Sequence, residues 1–124
     1  MSIEPIFSAV EVRPKGWGEE LWIANNEKYC GKILRFNKGA SFSMHYHVEK
    51  EETWCVTKGV LKLEYFDLEK AERLEKELKE GDTVHLLPCT PHKLTALEES
   101  AVFEVSTQHF EEDSYRVEKG SSQK

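Results

Sequence analysis

The chain has 124 residues, with 17 Lys or Arg against 23 Asp or Glu, a net charge of -6 and a mean hydropathy of -0.60. That length can bury one continuous core but not two ordinary ones, and an acidic balance without a clustered basic stripe excludes the Lys/Arg footprint that nucleic-acid phosphates require. No run approaches about eighteen consecutive apolar residues, and the start MSIEPIFSAV lacks a basic n-region and a long apolar h-region, so neither a membrane span nor an export signal is expected. Three scattered cysteines, Cys30, Cys55 and Cys89, suit free thiols in a reducing cytoplasm better than a disulfide framework.

Along the chain, short β-type runs alternate with turn signals, which predicts a sandwich or barrel rather than βαβ units. Residues 1–24 read as an N-terminal arm and edge strand, with a strand over 20–23. Within the arm, Ile6, Ala9, Val10 and Val12 could add a strand to a partner sheet, so a homodimer is expected. Further strands are predicted over 32–36, 41–47, 52–57, 60–67, 73–78, 83–87, 92–96 and 101–106. The segment 67–80, DLEKAERLEKELKE, is rich in helix formers and places Leu68, Ala71, Leu74 and Leu78 near helical spacing. Residues 120–124 read as a flexible polar tail.

Chemistry concentrates in 39–59 and 81–96. His45 and His47, one residue apart on a strand, project to the same face. Glu52 returning on the next strand and His92 from a separate hairpin would complete a mixed nitrogen and oxygen site for one divalent transition metal. Zinc, iron, manganese and nickel all accept such a set. Neither His85, between Val84 and Leu86, nor His109, near the end of the last apolar run, has spacing that marks it as a ligand: His85 reads as a surface or satisfied barrel residue, and His109 could reach a pocket mouth but has no motif behind it. Cys89, three residues before His92, reads as a turn residue before a thiol near the metal.

These residues resemble the cupin superfamily. Gly39, His45, His47, Glu52 and Gly59 fit its first motif, G-x5-H-x-H-x4-E-x6-G. The stretch GDTVHLLPCTPH, Gly81 to His92, resembles the second motif, with Leu87 at the place of its first proline and Cys89 at the place of its glycine. The resemblance implies an all-β, single-domain jelly-roll barrel over 1–119, with the interval 67–80 folded as the hairpin between the motifs despite its helical propensity.

More narrowly, 43–59 resembles the cupin domain of type II mannose-6-phosphate isomerases, S-L-Q-x-H-x-x-R-A-E-x-W-x-V-x-x-G. Ser43, His47, Glu52, Trp54, Val56 and Gly59 match, Lys50 takes the arginine position and His45 replaces the glutamine. Glu104-Val105 and the run Glu111 to Glu118 continue the likeness, and Pro14 to Gly18 is a loosened P-W-G element. This implies a sugar or sugar-phosphate substrate and metal-assisted aldose–ketose proton transfer. Arg116 and Lys50 are then candidates for an anionic group, although Lys50 reads first as a surface charge among glutamates. Trp54 reads as core first and pocket wall second. No catalytic base is identified: an unliganded carboxylate at the pocket or a metal-bound hydroxide would serve. A metal-dependent dioxygenase and a non-catalytic ligand-binding cupin are the alternatives.

Overall fold

A computed structural model describes residues 3–123. Eleven strands follow one another: β1 (Glu11–Lys15), β2 (Gly18–Asn25), β3 (Cys30–Phe36), β4 (Met44–Tyr46), β5 (Glu52–Lys58), β6 (Val60–Asp67), β7 (Glu72–Lys79), β8 (Thr83–Leu86), β9 (His92–Ala96), β10 (Ser100–Ser106) and β11 (Tyr115–Glu118), then one 3-10 turn, Ser121–Gln123. They form a six-stranded sheet, β1-β2-β3-β10-β5-β8, and a five-stranded sheet, β11-β4-β9-β6-β7. All pairings are antiparallel. The two sheets face each other as the expected jelly roll.

Alternation within strands builds the core. In β3, Cys30, Lys32, Leu34 and Phe36 point inward, and in β10 Ser100, Val102 and Glu104 do so. Apolar inward residues gather toward one end, where Leu61, Leu63, Leu94, Ala96, Val56 and Val102 are almost fully buried. Toward the other end the inward positions of the larger sheet are ionic, and this end carries the candidate site.

The interval 67–80 is a hairpin. β6 and β7 pair continuously from Val60 opposite Lys79 to Asp67 opposite Glu72. The Asp67 carboxylate closes the turn by accepting from the Glu69 and Lys70 amides at 3.1 Å. Helical propensity loses because Leu78 is buried at 2% exposure as a strand residue, whereas Leu68, on the would-be helical face, lies in the turn at 62%.

Four expectations are corrected. The strand predicted over 41–47 is only Met44–Tyr46, with Ser41 making an isolated bridge to Thr95, and His47 lies beyond the strand end. The strand predicted over 83–87 stops at Leu86, since the following Pro88 has no amide to continue the ladder. β1 and β11 were not anticipated. β1 contains Pro14, which is tolerated because β1 is an edge strand. Residues 120–123, expected as a flexible tail, are docked: Ser121 N donates to Ser41 O at 2.8 Å, Ser41 N to Ser121 Oγ at 3.0 Å, and Gly16 N to Ser122 Oγ at 2.9 Å. This docking brings backbones into contact. A Cβ on Gly120 would lie 2.4 Å from Phe42 C, and one on Gly16 would lie 2.6 Å from Ser122 Cα. Lys124 lies outside the described residues.

Candidate metal centre

His45 and His92 face each other across the β4–β9 pairing, and the chain past β4 turns His47 back to the same point. One ligand nitrogen from each of the three rings lies within 4.8 Å of the others. β5 supplies Glu52, whose Oε2 lies 3.5 Å from His47 Nε2 and 3.9 Å from His92 Nε2.

Each imidazole is oriented through its other nitrogen. Nδ1–H donates to a main-chain carbonyl in all three: His45 to Ser43 O at 2.6 Å, His47 to Asp113 O at 2.7 Å and His92 to Thr90 O at 2.9 Å. A carbonyl only accepts, so the proton is fixed on Nδ1 and the Nε2 lone pair is left for a ligand. Burial lowers the basicity of every ring. It holds His45 well below the usual histidine range, helped by His92 and His47, lowers His47 with Lys50 contributing, and pushes His92 down to about 3. Neutral imidazole is the form a metal needs.

Two buried polar atoms have no hydrogen-bond partner among the described residues, Glu52 Oε2 and His92 Nε2. Trp54 Nε1–H takes the other carboxylate oxygen, Glu52 Oε1, at 2.6 Å. Unpaired buried polar atoms are costly, and these two point at the same spot. Imidazole nitrogens with a carboxylate oxygen suit a divalent first-row metal, so the residues fit such an ion.

The centre opens into a cleft of about 400 Å³, also lined by Lys50, Trp54, Glu104, His109 and Arg116. Lys50 overturns its reading as a surface charge: it is 4% exposed, with Nζ 3.1 Å from Glu104 Oε2 and 3.9 Å from Glu52 Oε2. Burial disfavours its charge, but Glu52 and Glu104 more than offset this and raise its pKa. Trp54 is both core, at 2% exposure, and cleft wall. Arg116 stands directly opposite His45 on β11, exposed along the cleft and without an ion pair among the described residues. His85 is exposed and pairs with Glu51 at 2.6 Å, away from the centre.

Three contributors were assigned no role at the centre from the sequence. Glu104, flanked by Lys32 on β3 and Trp54 on β5, is a buried carboxylate beside the centre that is not within its donor cluster. His109 lies on the cleft, its Nδ1 accepting from Lys50 Nζ at 3.3 Å. Burial, with Lys32 and Lys50 nearby, pushes it down to about 2. Asp113 is buried and accepts the Val48, Glu49 and Lys50 amides at 2.8 to 3.1 Å, tying down the loop between His47 and Glu52. Besides the Glu104-Val105 likeness, alternation puts Glu104 on the inward face with Val102. For Asp113 the only signal was its place in the Glu111 to Glu118 likeness.

The cupin domain family matches residues 32–107, while no curated protein matches the chain. Among solved structures, a variant of oxalate decarboxylase from Bacillus subtilis is similar at TM-score 0.77 and 20% identity, over 87% of this chain and 30% of that one. CapF, solved with the inhibitor 3-isopropenyl-tropolone, is similar at TM-score 0.77 and 14% identity, over 88% of this chain and 34% of that one. The chain thus spans about a third of the length of these proteins, and the likeness is one of fold. With both sheets in place and the family match covering more than half of its length, the chain belongs to the cupin domain family.

Proposed function

We propose that this cupin holds one divalent transition metal on His45, His47, Glu52 and His92 and acts as an aldose–ketose isomerase on a sugar or sugar phosphate. The observation that carries the isomerase reading is the buried Lys50–Glu104 pair beside the donor cluster. Isomerisation requires a group that moves a proton between neighbouring carbons, and Glu104 is a carboxylate on the cleft that pairs with Lys50, whereas Glu52 is the carboxylate set against the His47 and His92 rings.

When bound, the metal would supply a Lewis acid that polarises the substrate carbonyl. Glu104 takes the proton from the carbon beside that carbonyl and returns it to the former carbonyl carbon, while the hydroxyl proton passes from the oxygen of the first carbon to the former carbonyl oxygen, so the reaction is redox-neutral overall. The Lys50 ammonium, already aimed at Glu104, offers a hydrogen bond to oxygen as negative charge develops there. Trp54 excludes water and holds Glu52 in place. Arg116 presents a free planar fork to a phosphate. The resemblance of 43–59 and 104–118 to type II mannose-6-phosphate isomerases supports the same substrate class.

The test is incubation of metal-loaded protein with a panel of aldose phosphates in deuterated water, followed by NMR for solvent deuterium at C2. The proposal expects exchange in the wild type and a fall of about 10²- to 10⁴-fold in Glu104→Gln, the usual share of a general base, with metal content unchanged. Arg116→Ala should weaken phosphate-substrate binding by about 1–3 kcal/mol, the range for charge-assisted hydrogen bonds. Oxygen consumption without exchange would move the function to a dioxygenase, and neither activity to a binding module.

A further inference from the structure

The metal centre has a back as well as a cleft. Behind it, between β7 and β8, which are edges of the two sheets, lies a separate cavity of about 460 Å³ whose lining includes Leu63, Tyr65, Leu78, Val84, Leu86 and Leu87. The two hollows share a wall. Tyr65 pairs with His92 across β6 and β9, and Leu86 with Glu52 across β5 and β8, so two residues that face the cleft have cavity residues as their strand neighbours. The loop between β8 and β9 serves both sides. Its Leu87 and Thr90 line the cavity, while the Cys89 amide donates to His47 O at 2.6 Å and the Thr90 carbonyl accepts from His92 Nδ1 at 2.9 Å. A molecule packed against Leu87 and Thr90 therefore bears on two of the three imidazoles.

The lining selects the ligand. An apolar cavity of about 150 Å³ already holds benzene, so this one has room for a substituted ring. Tyr65 packs on the core with its hydroxyl unpaired among the described residues, and the Thr90 hydroxyl is unpaired there as well. The acidic and imidazole side chains of the lining have partners already: Asp82 accepts the Lys79 amide at 2.9 Å and His85 meets Glu51 at 2.6 Å. A sugar would bury most of its hydroxyls here without partners, each at a cost. A ring with one hydroxyl would not, and an apolar hollow with few polar groups is the usual form of a small-molecule site.

We infer that this cavity binds a small aromatic alcohol, its ring among the leucines and Val84 and its hydroxyl on Tyr65, and that occupancy steadies the 87–90 loop and so tightens the metal centre. The coupling is reciprocal, because a ligand that favours metal binding is favoured by the metal to the same degree. The coupling rests on the metal site proposed above; the cavity does not.

Calorimetric titration of metal-free protein with p-cresol and with toluene tests the site. One-to-one binding of p-cresol with a Kd below about 1 mM is expected, well within the range open to a ligand of that size. Tyr65→Phe should weaken p-cresol about two- to tenfold, the net worth of one hydrogen bond, and leave toluene unchanged. Val84→Trp, which fills the cavity, should abolish both. Metal-loaded protein then reads the coupling: saturating p-cresol should lower the apparent Kd of the metal at least about fivefold in a chelator competition, and should not do so in Val84→Trp. The inference is overturned by absence of p-cresol binding, by binding that Val84→Trp leaves intact, or by a Tyr65→Phe variant that treats p-cresol and toluene alike. An unchanged metal Kd overturns the coupling. A chain that takes up no ion would sink the proposed metal site, while the titrations of metal-free protein would still decide the cavity.

Discussion

Three imidazoles presenting bare Nε2 atoms require three acceptors behind them, and the structure supplies main-chain carbonyls of Ser43, Thr90 and Asp113. The rings themselves were legible from spacing, because alternation alone puts His45 and His47 on one face. Their fixed orientation was not, since all three carbonyls lie in irregular segments. Cys89 shows the same limit. It stands where the family motif has glycine, yet it adopts φ +71° and its amide still reaches His47 O at 2.6 Å. A left-handed conformation costs a side-chain-bearing residue roughly 1–2 kcal/mol, so Cys89→Gly should raise unfolding stability by up to about 1 kcal/mol, net of the extra chain entropy of glycine. Urea denaturation checks this. His109 gives a pH dependence. Its folded value of about 2 lies below that of an unfolded histidine near 6.5, so between these limits the unfolded chain binds one more proton. Stability therefore falls as pH falls through that window, by at most about 1.4 kcal/mol per unit for the group, and is unaffected above it. His109→Gln should flatten this acid limb in denaturation between pH 7 and pH 5. Parallel profiles would contradict the assignment.

At the scale of elements, the loop 47–51 is organised from a distance. Asp113, more than sixty residues later, gathers three consecutive amides with its carboxylate and the His47 ring with its carbonyl. The loop carries Lys50 inward and delivers the chain to Glu52, so Asp113 positions half of the centre, touching it only through the His47 ring. Asp113→Ala removes several hydrogen bonds to a buried charge, each worth about 1.5–3 kcal/mol. The expected loss is about 2–4 kcal/mol of stability with a 10- to 100-fold weaker metal affinity, as for other groups that orient ligands. Thermal denaturation and a competitive chelator titration measure the two. The sequence could not show this, because nothing local pairs 113 with 48–50. The hairpin of β6 and β7 is the converse case: local propensity pointed to a helix, and the buried face shared with β9 decided for strands. β11 was missed for a related reason. Its exposed, mixed residues have no periodicity, and it exists by pairing with β4 from about seventy positions away.

For the whole molecule, a jelly roll was legible because five fixed motif positions and the turn-separated strands agreed with one architecture. The division of labour inside it was not. Alternation places Lys32, Glu52, Trp54 and Glu104 inward, but only the packed sheets show that the ionic positions cluster at the cleft end and the aliphatic ones at the other. Metal binding should act on the fold as a unit, since the proposed donors come from β4, the loop after it, β5 and β9. Removing the ion with a chelator should lower the unfolding midpoint, by the equivalent of about 2.7 kcal/mol if the free metal had been at a hundred times its Kd. The most direct check is metal analysis of the purified protein after reloading with manganese, iron, zinc or nickel, alongside the variant His47→Ala/His92→Ala. One divalent ion per 14.4 kDa chain in the wild type, with none retained by the variant, is the predicted result. Full occupancy in the variant, or no ion in the reloaded wild type, would contradict it.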